Sequence, residues 1–485
     1  MPGERNDDRP AGGGEVAVPV ATGRPVRDRV YRSGRYLVGR QLAGIGIRLV
    51  GILVVTRLIG PEVYGLFAAA AAVAAVLATI ATFGADVQLV REGSSTAADD
   101  TAFIGLLGSS VALGGIGVAM APSFGVWLSA EAAVAPMRAV AALVPLMVLV
   151  TPARARLERE LRFVPIAAIE LGADLAVIAV SIPLAVGGAG VWAPIAGLAA
   201  RQLCLVVATH LASRYRPRLR FDRAEAERLV RFGAGYSAGK WLSLVGQLVN
   251  PIVVGRVLGP TGIGHVALAT RIVEQLGAVK QATMRLATAA FARIGTDRQR
   301  LRSAHAEGVL IQVVGSVPLY ALAAFIGPFA VPAVFGPDWE PAATVLGLLA
   351  IAASIGTLFN LGPPLLRVLG LNRPVARLRA LQVGTMLAVT AIAVPGLGVA
   401  GYGLARVART VPFILVHREL TGWFQPSYRA GVRWLVALLP MMTAPWWPAE
   451  VRPFLLAGPI LLIALPTTRD EIRYVARQVA KAGRS

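Results

Sequence analysis

The sequence predicts an all-α, polytopic membrane protein of about 14 transmembrane helices. Two parallel six-helix repeats form its body, and two further helices follow. Three observations carry this. Of 485 residues, 55% are hydrophobic and only 15% are charged, against about 25% charged in soluble domains; the mean hydropathy is +0.64. Apolar runs of about 20 residues, the length that crosses a bilayer core, recur along the chain. Finally, one stretch occurs twice. A shift of 199 positions lays Arg57 on Arg256, Gly60 on Gly259, Pro61 on Pro260 and Gly65 on Gly264, inside matched apolar flanks. In both copies an apolar helix ends, a Gly-Pro pair breaks it, and the next helix begins. Gly closes a helix in the left-handed conformation, and Pro opens one because its missing N–H is not needed there.

Residues 1–32 are rich in Pro, Gly and charge and read as a disordered cytoplasmic tail. The first apolar segment is too long and too far in for a cleavable signal peptide, so it acts as an uncleaved anchor. Fourteen spans then fit near 36–59, 62–85, 102–121, 133–151, 164–186, 190–212 and 231–258, followed by 262–291, 308–327, 341–362, 376–395, 398–416, 432–447 and 453–466. The last is short, and the thirteenth contains Pro440 and Pro445. Loop charge follows this count. Hairpins at 122–131, 187–190 and 335–340 carry little positive charge. Arginine clusters fall on the other side, among them Arg154, Arg156, Arg159 and Arg162, then Arg214, Arg216, Arg218, Arg220 and Arg223. The positive-inside bias puts these clusters and both termini in the cytoplasm. It also accounts for the net charge of +21 without a nucleic-acid partner. Span 1 recurs as span 7, so each repeat has six spans and both point the same way, with a substrate site expected between them near the midplane. The expected divisions are 33–215 and 216–428 for the two repeats, 429–468 for the extra helices and 469–485 for a basic tail.

The single Cys204 excludes an intrachain disulfide, and no Cys/His grouping has metal-ligand spacing. No glycine-rich phosphate loop is present, so no nucleotide cofactor is expected. Alanine, glycine, valine and arginine dominate, as in proteins from GC-rich bacterial genomes.

Charges within the spans are the candidate site, because a charged side chain at a helix centre costs roughly 2.5–3.5 kcal/mol and must face protein or water. The same shift lays Gln41 on Lys240 and Arg48 on Gln247, each pair two turns apart on one face. Asn250 flanks that face. In span 8, Arg271, Glu274, Gln275 and Arg285 share a face, and Lys280 falls opposite and is left out. Aligning the sixth spans brings Arg201 onto Arg409, with Arg406 nearby. Glu170 and Asp174, one turn apart in span 5, either pair with these arginines or bind a proton or cation; Glu274 is a third acidic candidate for ion coupling. Arg57 and Arg256 lie at helix ends, where snorkelling is the simpler expectation. The net-basic set of Arg48, Lys240 and Arg271 favours an anion, and guanidinium forks suit phosphate oxygens. A large anion kept at the membrane points to a lipid-linked pyrophosphate.

Several strings then resemble one family. Val55-Thr-Arg57-Leu-Ile-Gly60-Pro61-Glu-Val-Tyr-Gly65-Leu is similar to the first hairpin of bacterial polysaccharide flippases of the O-antigen and exopolysaccharide type. Arg159-Glu-Leu-Arg-Phe163, Gly188-Ala-Gly-Val-Trp192 and Phe335-Gly-Pro-Asp-Trp339 resemble it too, and the likeness runs over about 33–425. The resemblance implies the multidrug/oligosaccharidyl-lipid/polysaccharide exporter fold, two six-helix lobes in a V. It implies non-enzymatic movement of undecaprenyl-pyrophosphate-linked oligosaccharide across the bacterial plasma membrane by alternating access, for cell-surface polysaccharide or lipopolysaccharide synthesis. The expected partners are that substrate, membrane lipids, a polysaccharide polymerase and glycosyltransferases. The family lacks a short substrate motif, so no binding residue is carried over. Three alternatives stay open: a peptidoglycan lipid precursor flippase, a cation-coupled drug exporter, and a membrane polymerase or ligase of lipid-linked sugars using Asp338 and Glu340.

Overall fold

The computed structural model describes residues 24–91 and 96–482, with side chains for 51, 53–90, 97–234 and 244–478. The described residues are helical, without strands. Among them, nine stretches are long and apolar enough to cross a membrane, and ten with the pair Glu131–Ala142 and Val144–Arg159, bent by 41°. The difference from fourteen has plain sources. The first expected span lies mostly at residues with undescribed side chains. Leu244–Leu276 joins parts of two expected spans across the break at Gly259. The last two expected spans coincide with the short helices Arg429–Met442 and Ala457–Ala464.

The repeated Gly-Pro pair folds the same way twice. Gly60 adopts φ 76° and ψ 171°, and Gly259 adopts φ 66° and ψ −167°. These conformations exclude a side chain at little cost, and the following proline restarts the helix. The two breaks also meet. A Cβ on Gly65 would sit 1.8 Å from the Pro260 carbonyl oxygen, and one on Gly264 would sit 2.1 Å from that of Pro61. The repeats therefore touch backbone to backbone, and the contact is reciprocal.

Both motif arginines cross to the opposite repeat rather than snorkelling. Arg57 donates to the carbonyls of Ala333 at 2.9 Å and Val334 at 2.7 Å, where Arg298–Phe335 ends. Arg256 donates to the Trp127 carbonyl at 3.2 Å and to Ser129 Oγ at 2.9 Å, where Thr96–Leu128 ends. A cation at a helix C-terminus meets the negative end of the helix dipole. Trp127 returns a bond from Nε1 to the Ile252 carbonyl, 2.9 Å away. Beside this, the hairpin after Phe335 turns inward. Trp339 is 1% exposed, its ring edge-on to Tyr64 at 5.8 Å and to His265 at 5.9 Å.

Buried apolar side chains form one cluster in the first repeat, built on small residues such as Ala70, Ala74 and Ala81. A larger one in the second repeat holds Phe291, Tyr320 and Trp339. A third, of Leu66, Ala69, Leu128, Ala133 and Ile263, bridges the repeats at this hairpin end. At the opposite, arginine-rich end, residues placed in the expected basic tail are helical. Pro466–Ala482 docks through Tyr474, which donates to Glu307 at 2.6 Å, and through Glu471, which accepts from Arg433 and from Trp434 Nε1.

The backbone contact has a measurable consequence. Gly65→Val and Gly264→Val are each expected to destabilise the protein by ~1–3 kcal/mol or more, because the clash is with backbone rather than a movable side chain. Gly105→Val, where a Cβ meets nothing within 4 Å, should leave the melting curve in detergent unchanged.

Candidate functional site: a basic cavity in the second repeat

In the first repeat, the carboxylates and the arginine on Phe163–Val186 and Trp192–Ser213 are paired, while Arg138 on Val134–Ala142 is exposed. Arg201 Nε lies 3.3 Å from Asp174 Oδ1, between the packed helices Trp192–Ser213 and Phe163–Val186. Arg154 reaches Glu170 at 3.0 Å and Glu158 at 2.9 Å. Arg159 grips Asp99 with two guanidinium nitrogens and also donates to the Leu89 carbonyl at 2.8 Å. Such pairing is the ordinary way to hold a charge in a low-dielectric setting.

The second repeat does the opposite. A cavity of about 850 Å³ is lined by six cations, Lys280, Arg285, Arg367, Arg379, Arg406 and Arg409, and by a single carboxylate, Glu274. Among the described residues, no ion pair neutralises any of the six. Five elements contribute: Gly255–Leu276 and Ala278–Ile294 supply Glu274, Lys280 and Arg285, Gly362–Val368 supplies Arg367, Asn372–Leu397 supplies Arg379, and Val399–Ala408 with its cap supplies Arg406 and Arg409. Lys280 Nζ lies beside Gly356, 3.7 Å from where a Cβ would stand, an ordinary van der Waals distance. Arg379 is steadied by donating to Gln382 Oε1 at 3.3 Å. Asn360 adds an amide whose Oδ1 and Nδ2 are buried without a hydrogen-bond partner. Cations and an unused amide facing one space are donors of the kind that hold multiply charged oxyanions.

Of the residues singled out in the sequence, Glu274, Arg285, Arg406 and Arg409 line this cavity. Gln275 does not, and Arg201 and Asp174 are held together elsewhere, as are Glu170 and Arg154. Arg271 lies beside the Tyr64 hydroxyl of the first repeat. Gln247 is exposed, and Asn250 opens a π-helical turn, Asn250–Val254, with its Oδ1 buried and unpartnered. The side chains of Gln41, Arg48 and Lys240 fall outside the described residues.

The regular helical period puts Lys280 on the face opposite Arg271. The cavity does not take the Arg271 face: Val273, Glu274, Gly277, Lys280, Gln281 and Met284 line it at regular i, i+3 and i+4 spacing, so the period that sets Lys280 opposite Arg271 also brings it to the cavity. Arg367 and Arg379 had no distinguishing signal, since each sits in a run of arginines that topology alone explains. Asp338 and Glu340 are both exposed and flank a buried residue. The Asp338 carbonyl accepts from His265 Nε2 at 2.8 Å, and the intervening Trp339 is buried.

Known proteins share this plan. A family model described as polysaccharide biosynthesis protein matches residues 54–344. The succinoglycan biosynthesis transport protein ExoT of Rhizobium meliloti (strain 1021) is 26% identical over 357 residues, covering 70% of this chain and 69% of its own length. Among solved structures, the lipid II flippase MurJ in an inward closed conformation superimposes with a TM-score of 0.71 at 12% identity, over 93% of this chain and 99% of that one. An inward-facing MATE family multidrug resistance transporter of the MOP superfamily gives 0.52 at 17% identity, over 80% and 96%.

Inorganic pyrophosphate is expected to raise the melting temperature of the purified protein. The double variant Lys280→Gln/Arg409→Gln should weaken that binding at least tenfold, given about 1.5–3 kcal/mol for each hydrogen bond to a charged group. Asp174→Asn, remote from the cavity, should bind pyrophosphate as the unaltered protein does.

Proposed function

The chain belongs to the polysaccharide biosynthesis protein family, and from that premise we propose that it flips undecaprenyl-pyrophosphate-linked oligosaccharide from the inner to the outer leaflet of the bacterial plasma membrane. The broader assignment, a flippase-type transporter of lipid-linked sugars in the multidrug/oligosaccharidyl-lipid/polysaccharide exporter superfamily, is supported by the family match, by the ExoT relative and by the fold.

The observation that carries the finer reading is the cavity of six cations against one carboxylate, in which, among the described residues, none of the six is ion-paired. A pyrophosphate supplies the missing negative charge in compact form, and guanidinium forks hold its oxygens bidentately. Arg48, Lys240 and Arg271 are further cations of the passage in this proposal. The arginine-rich end, where Arg367 and Arg379 stand, faces the cytoplasm where the substrate is made. The hairpin end faces outward and is closed by Arg57, Arg256 and Trp339 in the conformation described here. Alternating access then consists of opening the hairpin end while the cavity end closes. Glu170, Asp174 and Glu274 are the acidic groups available for ion coupling, and Asp174 would have to give up Arg201 to take part.

A drug exporter working on organic cations is disfavoured by the same six charges. A peptidoglycan lipid precursor carries the same pyrophosphate, and the family and the ExoT relative favour a surface-polysaccharide substrate over it.

In cells depleted of this protein, an impermeant probe applied from outside should find lipid-linked oligosaccharide accumulated but hidden. Lys280→Gln/Arg409→Gln should fail to restore exposure although the protein is present in the membrane at normal amount. Normal exposure in depleted cells, with the sugar lipids merely left unpolymerised, would overturn the proposal in favour of an enzyme.

A further inference from the structure

Residues 214–222 join the two repeats as an irregular segment with alternating chemistry, in which Tyr215 is buried and residues 216–222 are exposed. In sequence, Arg214, Arg216, Arg218 and Arg220 alternate with Tyr215, Pro217, Leu219 and Phe221. In the fold, Arg216, Arg218 and Arg220 recur at every second position and are exposed, interleaved with the exposed Leu219 and Phe221; Arg214, left-handed with φ 52° and ψ 22°, stands outside this alternation.

Two features set this segment apart from an ordinary solvated loop. Its backbone is fixed by buried groups. Asp100 Oδ1 accepts from the Tyr215 hydroxyl and from the Arg218 amide, both at 3.1 Å, and Thr101 Oγ1 accepts from the Asp222 amide at 3.0 Å. Asp222 then caps the next helix by accepting from the Ala224 amide at 2.8 Å. Burial, and after it the neighbouring Asp100 charge, push the Tyr215 phenol well above its usual range, so this donor keeps its proton through neutral pH. The side chains after Tyr215, by contrast, are uncovered. Leu219 is 82% exposed and Phe221 is 63% exposed. Among the described residues none of the four arginines has a carboxylate partner, whereas Arg223 and Arg228 on the adjoining helix both do.

The place of the segment identifies what covers it. It begins one residue after Trp192–Ser213, a helix apolar enough to cross the membrane, so it lies at the depth of the lipid headgroups. We propose that it is a binding surface for anionic phospholipid: Leu219 and Phe221 enter the acyl region, and Arg216, Arg218 and Arg220 hold the phosphates of lipids at the seam between the repeats. Charge complementarity and continuity with the lipid-facing belt both select lipid, and the fixed backbone means that little ordering entropy opposes the contact. The inference stands apart from the identity of the transported molecule.

The test uses the full chain in mixed phosphatidylglycerol–phosphatidylcholine vesicles. The preference of the protein for spin-labelled phosphatidylglycerol over phosphatidylcholine should fall about fivefold or more in Arg216→Gln/Arg218→Gln/Arg220→Gln. Arg298→Gln/Arg300→Gln, at another loop of the same end, should change it far less. Independently, a nitroxide on Phe221→Cys in a Cys204→Ser background should be relaxed by oxygen dissolved in the acyl region and shielded from water-soluble nickel. The proposal is overturned by an unchanged preference in the triple variant, by an equal loss at the control loop, or by a nitroxide that reads as water-exposed, which would indicate an acidic protein partner instead.

Discussion

Where the repeats meet, two backbones occupy space that leaves none for a side chain, and the arrangement of the molecule depends on that contact. Gly65 lies against the Pro260 carbonyl and Gly264 against that of Pro61. Each glycine stands five residues after the left-handed glycine that bends its own helix, Gly60 or Gly259. One short motif thus does two jobs: it turns the chain and lets the turned chain approach its copy. Contacts this close fix the distance between the repeats at the hairpin end. The bridging apolar cluster of Leu66, Leu128 and Ile263 and the arginines that cross the seam take their positions from it.

The duplication kept the backbone and let the charge diverge. Shifting by 199 positions, Arg271, Glu274 and Lys280 in the second repeat correspond to Ala72, Ala75 and Ala81 in the first. The first copy became a small-residue helix packed tightly in its own repeat, with Ala74 and Ala81 in the core. The second became a charged wall. The cavity is built on one repeat only, so in the proposed transport cycle an anion held there would be attached to one of the two repeats, not stretched between them. The binding charges and the closing contacts are in this way separated, one set inside the second repeat and the other across the seam.

How much of this the sequence disclosed follows from how each feature is encoded. Spans are written in length and composition, because a bilayer imposes both, and the helices Phe163–Val186, Trp192–Ser213 and Asn372–Leu397 fall within a few residues of their expected limits. The duplicated hairpin was legible because Gly and Pro have few substitutes at a left-handed break. Side-chain destinations were less so. Lys280 lies opposite Arg271 by the helical period, and nothing in the sequence says which of the two faces meets the cavity. Arg57 and Arg256 bind carbonyls more than two hundred and more than a hundred residues away, respectively, and a carbonyl carries no sequence signal. Asp174 had two destinies in the sequence, ion site or arginine partner; the structure places it against Arg201, and that geometry arises only when two helices pack.

The choice of acceptors at the hairpin end bears on how such a closure opens. A buried arginine–carboxylate pair leaves two bare charges when it separates, and breaking one side of such a pair costs about 3–5 kcal/mol. Arg57 and Arg256 instead hold neutral acceptors at helix ends and are themselves exposed. On separation the guanidinium returns to water, and the freed carbonyls at the helix end are hydrated in turn, so the net loss is that of ordinary hydrogen bonds, about 0.5–1.5 kcal/mol each, or 1.5–3 with a charged donor. In the proposed alternating access, closure by carbonyls would therefore cost less to reverse than closure by buried ion pairs. The carboxylates that would have made it permanent are concentrated instead inside the first repeat, where Asp99, Glu170 and Asp174 hold helices that have no reason to part.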